Sequence, residues 1–172
     1  WVEGPLALAA ELRGLNAIML DFGDDPAFVH DLLAFCADVA IAYAPAQIAA
    51  GADTIGMSDA AAGLIGPTLY EEFVWPQQKR VFDFLAHEHP DVLRRQHMCG
   101  RTDALFPAMA RLSVDIYEID FPADLALARR ALGPTATLAG NVSTITDLLE
   151  GTPERVYEAC RRCHETCGPH YI

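Results

Sequence analysis

"VLRRQHMCGRTDALFPAMARLSVDIYEID", residues 92–120, divides into three pieces whose order decides the fold. "VLRRQHMC" (92–99) and "VDIYEID" (114–120) read as strands, and "ALFPAMARL" (104–112) reads as the helix between them. Strand, helix and strand at this spacing make a βαβ unit, which sets its two strands parallel in one sheet. The alternation continues in both directions. Upstream, Pro26 and Ala27 open a helical pattern in which Phe28, Leu32, Leu33, Cys36, Val39, Ala40 and Tyr43 recur at three- and four-residue steps to about Ala50. Gly51-Ala52 ends it, "DTIGMSD" (53–59) reads as a buried strand closing on an acid, and "PTLYEEFVWPQQKRVFDFLAHEH" (67–89) as a helix kinked at Pro76. Downstream come "DLALARRAL" (124–132) as helix, "ATLAGN" (136–141) as strand, "TITDLLEG", a last helix "PERVYEACRRCHETC" (153–167), and "HYI" as the start of another strand.

The expected fold class is therefore α/β, a partial (β/α)8 TIM barrel, with four strands and a fifth beginning. Asp59, His97 with Cys99, Asp120 and Asn141 each fall at or just past a strand's C-terminal end. In parallel α/β folds that is the face where sites are assembled. The chain opens on Trp1 and stops in "PHYI", so residues 1–172 are expected to be a single barrel segment truncated at both ends. An open half-barrel exposes its edges and an apolar inner face, which calls for the other half or a second copy, a homodimer through the open edges.

The 172 residues, 52% of them hydrophobic, suffice for one domain with a sizeable core. With 24 acids against 12 bases the net charge is −12, and the bases cluster only in pairs such as Arg94-Arg95, so nucleic acid is not an expected partner. The apolar runs look interrupted before the roughly 20 residues that cross a bilayer, and no secretory pattern opens the chain. A soluble cytoplasmic protein without a membrane partner is the expectation. Five cysteines, an odd number without a secretory signal, are expected to be reduced thiols.

His97 and Cys99, at i and i+2 of a strand, project to the same side. An imidazole and a thiolate so placed suit Zn²⁺, whose catalytic sites use three protein ligands; a satisfied histidine beside a buried thiol has the same spacing. A third ligand could be Cys160, Cys163, Cys167, Asp120, Asp59 or a residue past Ile172. "CRRCHETC" (160–167) contains the haem-attachment pattern, but its three cysteines fall on one helical face as core thiols do. Asp59 and Asp120 read either as helix caps or as site acids, and Asn141 after Gly140 as turn or site. No phosphate-binding glycine loop and no G-x-S-x-G is present.

Taken together, "GPLALAAELRGL", "DDPAFVHDLL", "GADTIGMSDAAAGLIGPTLYEEFVWP", "HMCG", "VDIYEID" and "LAGNVSTI" followed by "LLEGTPERVYEAC" resemble, in that order, the uroporphyrinogen decarboxylase superfamily. The resemblance implies the C-terminal half to two-thirds of that family's barrel. Within it, H-x-C-G is similar to the methylcobalamin:coenzyme M methyltransferase branch, whereas the decarboxylases carry a metal-free segment there. The resemblance thus implies Zn²⁺ on His97 and Cys99, with a third cysteine ligand beyond Ile172. It implies a methylcobamide co-substrate on a corrinoid partner protein and a small-molecule thiol acceptor such as coenzyme M. It also implies a substrate-binding role for Asp59; Asp120 and Asn141, placed at strand ends like it, are taken as further substrate-binding candidates, and no catalytic residue is assigned. The alternatives are a cofactor-free uroporphyrinogen decarboxylase of porphyrin biosynthesis with a tetrapyrrole ligand, and a catalytically incomplete half-barrel scaffold.

Overall fold

A computed structural model describes residues 1–172. Five strands, β1 (Val2–Glu3), β2 (Thr54–Ser58), β3 (Leu93–Met98), β4 (Ile116–Ile119) and β5 (Thr137–Gly140), pair in parallel in the order in which they occur along the chain. A sheet whose spatial order equals its chain order winds one way, as a barrel does; a doubly wound sheet reverses at a switch point. Tyr171 forms an isolated parallel bridge to Leu138 of β5. The sequence reading lacks β1, because a two-residue strand has no period to detect.

The helices α1 (Pro5–Arg13), α2 (Leu15–Asp24), α3 (Pro26–Ala49), α4 (Pro67–Leu69), α5 (Trp75–Glu88), α6 (Phe106–Met109), α7 (Leu125–Leu132) and α8 (Pro153–Cys167) fill the connections. Three starts carry side-chain caps: Asp25 accepts from Phe28 N at 3.1 Å, Asp124 from Leu127 N at 2.9 Å and Thr152 from Arg155 N at 3.3 Å. The expected kink at Pro76 is a wide π-helical turn, Tyr70–Val74, placed just before it. A proline lacks the N–H for the preceding turn, and a wide turn absorbs the register it costs.

Helix α3 is long and apolar enough to cross a membrane by length and composition, contrary to the expectation from the sequence. In the fold one face of it packs on the core, through Val29, Leu33, Cys36, Ala37, Ala40 and Ala44. Its small residues Ala37, Ala40 and Ala44 let it lie against Ile55 and Met57 of β2, in one cluster with Val81, Phe82 and Leu85 of α5. Burying each of the larger side chains stabilises the layer by about 1.5–3 kcal/mol.

The other face of the sheet departs from the expectation of an apolar interior. Register puts Glu3, Ser58, His97, Glu118 and Ala139 side by side in one row, and Gly56, Arg95, Ile116 and Thr137 in the row behind it. In-register parallel neighbours point the same way. Their strand neighbours Met57, Met98, Ile119 and Leu138 belong to the helix-side core. The row that faces away from the helices is thus largely polar, where a filled barrel would carry branched apolar residues.

Candidate functional site

His97 sits one residue before the end of β3 and Cys99 one residue beyond it. Their side chains meet, with Nε2 of His97 3.2 Å from Sγ of Cys99. Burial holds the imidazole below its ordinary pKa; the Asp120 charge opposes this and Arg95 adds to it. Burial, then Asp120, raises the Cys99 thiol. A neutral ring beside a neutral thiol is the resting state at neutral pH, and a metal entering between them would displace the thiol proton.

Around them the strand ends are knitted together. Gly100 N donates to Oδ2 of Asp120 at 2.6 Å, and Phe121 N to Oδ1 at 2.8 Å, so Asp120 fixes the loop that carries Cys99 to the end of β4. Asn141 donates from Nδ2 to the carbonyls of Asp120 at 2.7 Å and Ala123 at 3.0 Å, tying β5 to the same point. His97, Glu118, Asp120 and Asn141 line one cavity of about 170 Å³. The structure therefore brings together four of the five residues singled out in the sequence: His97, Cys99, Asp120 and Asn141.

Asp59 is the exception. It has no exposed surface, and it does not line that cavity. It also does not cap the turn that follows it. Its Oδ1 accepts from Ala7 N at 2.8 Å and its Oδ2 from Leu6 N at 3.4 Å, so it caps α1 from the end of the neighbouring strand. Gln78 Nε2 donates to Asp59 Oδ2 at 2.8 Å, and Gln78 Oε1 accepts from Tyr70 Oη at 2.7 Å and Gln96 Nε2 at 2.9 Å. Burial pushes the Asp59 carboxyl up to about 6 against these donors.

No third histidine, cysteine or acid joins His97 and Cys99 in a metal-sized group. All five cysteines are free. Cys163 and Cys167 lie in the helix-side core, and Cys160 is exposed, so the three α8 thiols are not all the core residues their helical spacing suggests. The donor set present suits zinc in kind, one imidazole and one thiol converging, and supplies two of the three ligands such sites use.

Glu118 and Arg95 are the residues sequence reading missed. Glu118 stands opposite His97 in β4, its Oε2 3.4 Å from His97 Nδ1, and it forms an ion pair with Arg95. The Arg95 guanidinium lies 5.6 Å over the Trp1 ring. The available signal was charge inside a strand: Glu118 interrupts "DIYEI", and Arg95 stands two residues before His97.

Comparison with known proteins gives a consistent picture. The family model described as uroporphyrinogen decarboxylase (URO-D) matches residues 1–172. The chain is 35% identical over 161 residues to methylcobamide:CoM methyltransferase MtbA of Methanosarcina mazei, covering 92% of this chain and 46% of that protein. It is 36% identical over 118 residues to uroporphyrinogen decarboxylase of Nostoc punctiforme, covering 69% and 33%. A solved methyltransferase from Methanosarcina mazei superposes with a TM-score of 0.86 at 22% identity, over 95% of this chain and 48% of that one, a likeness of fold. The chain spans about half the length of the curated relatives it matches.

Proposed function

Because the chain belongs to the uroporphyrinogen decarboxylase family, we propose that it forms part of a zinc-dependent, corrinoid-linked methyltransferase that moves a methyl group from a methylcobamide to a thiol such as coenzyme M. The observation that carries this reading is the 3.2 Å approach of His97 Nε2 to Cys99 Sγ at the mouth of the sheet. The methyltransferase names of its relatives support it.

Zinc, when bound, would supply a Lewis acid on which a thiol loses its proton near neutral pH. His97 and Cys99 would hold the ion, and a cysteine following Ile172 would complete the set. Asp120 keeps the Cys99 loop in place through Gly100 N. In the transfer the acceptor thiolate bonds to the methyl carbon while the carbon–cobalt bond breaks, its electron pair remaining on the cobamide. A corrinoid protein is the partner and the cytoplasm the location this reading entails.

The second reading is uroporphyrinogen decarboxylase, favoured by 36% identity to members bearing that name. Two measurements on the native full-length polypeptide separate the readings: zinc per chain, with and without Cys99→Ser, and turnover of uroporphyrinogen. One zinc in the wild type and a loss of most of it in the variant is the expected result. A metal-free wild type that decarboxylates uroporphyrinogen would replace the methyltransferase reading.

A further inference from the structure

Glu118 lines the same cavity as His97 and pairs with Arg95, yet neither is among the residues that would hold the ion. The His97 ring presents two edges. Nε2 faces Cys99 Sγ at 3.2 Å, and Nδ1 faces Glu118 Oε2 at 3.4 Å. That second contact is an ion-pair separation without hydrogen-bond alignment, and His97 Nδ1 is buried with no hydrogen-bond partner. A buried ring nitrogen without a partner is costly, and Glu118 is the acceptor placed across the strand pair to receive it. On its other side Glu118 pairs with Arg95, whose stem of contacts continues to the Trp1 ring.

The two edges have separate duties. A carboxylate on the Nδ1 side of the ring lies away from the Nε2 and Sγ atoms that converge on Cys99, so it would not ligate the same ion through them. It would instead accept Nδ1–H and leave the Nε2 lone pair turned toward Cys99, fixing both tautomer and ring plane. Carboxylate–histidine–metal arrangements act in this way, and losing the carboxylate typically lowers metal affinity 10–100-fold.

We propose that Glu118, anchored by Arg95, is a positioning residue for His97: it holds the ring as the Nδ1–H tautomer with Nε2 presented beside Cys99. The metal consequence rests on the zinc reading above, whereas the tautomer does not.

The test compares wild type, Glu118→Gln and Glu118→Ala in the native full-length polypeptide. The tautomer of His97 is read from ¹⁵N chemical shifts in metal-free protein, and zinc affinity by competition with a chromophoric chelator. Thermal melts identify any variant that has lost the fold. The expected result is a single Nδ1–H tautomer in the wild type and a mixture in Glu118→Ala. Zinc affinity should fall roughly 10–100-fold in Glu118→Ala, while Glu118→Gln, which keeps an acceptor oxygen, retains most of it. Equal zinc affinity in wild type and Glu118→Ala, with an unchanged tautomer, overturns the positioning role and leaves the zinc reading standing. A wild type that binds no zinc overturns the zinc reading, and the tautomer comparison still decides what Glu118 does. Losses as large in a folded Glu118→Gln as in Glu118→Ala would make Glu118 a ligand, which also overturns the proposal.

Discussion

Asp59 holds its proton more tightly in the folded chain than an exposed aspartate does, because burial raises its pKa to about 6 while Gln78, Ala7 and Leu6 pull it back. A raised pKa contributes stability that is complete below the unfolded value near 3.9 and is lost as pH rises through the folded value. The wild type should therefore lose about 2 kcal/mol relative to Asp59→Asn between pH 4 and pH 7. Urea unfolding of both proteins across that range measures it, since all other titrating groups cancel in the difference. A difference that stays flat with pH would show that the carboxyl is not desolvated. At this scale the sequence offered residue types and spacing, and these sufficed for His97 and Cys99, whose i, i+2 relation is local. They could not separate Asp59 from Asp120. Both acids end a strand, but one is drawn beneath α1 and sequestered, while the other stays at the cavity and secures the Cys99 loop.

Elements meet tightly where the turn Ala60–Leu64 crosses the end of β3. A side chain at Gly63 would place its Cβ 1.9 Å from the Cys99 carbonyl oxygen, so one backbone must move. Gly63→Ala should cost about 1–3 kcal/mol, a fall in Tm of about 2–4 °C for each kcal/mol in a chain of this size. It should also weaken zinc binding by shifting Cys99. Gly23→Ala in α2 is the control: nothing lies within 4 Å of its Cβ, and alanine favours the helix by about 0.5–1 kcal/mol. Differential scanning calorimetry with chelator competition checks both; a Gly63→Ala that melts with the wild type would mean that the crossing yields freely. The helices and longer strands were legible because apolar spacing and capping residues are local signals. The short β1 and the wide turn before Pro76 were not, since each is fixed by what packs against it.

Across the whole molecule, β1 is an edge strand of the five-stranded sheet, and α3 exposes Phe35, Val39 and Tyr43. Along β5, Leu138 N donates to His170 O and Ile172 N donates to Leu138 O, each at 3.0 Å. Uncovered edges and apolar patches associate. Light scattering of the 172-residue chain should give a mass that climbs toward that of a dimer with concentration, and deleting residues 169–172 should steepen the climb. A monomer mass at every concentration would remove the half-barrel scaffold from consideration. The sequence by itself determined the parallel α/β alternation, the family resemblance and the pairing of His97 with Cys99, because each is written in spacing along the chain. Only the tertiary structure decided that the row facing away from the helices is polar, that Glu118 stands against His97, and that Asp59 is buried. Those facts depend on which strands become neighbours and in what register, which residues distant in sequence settle only by packing.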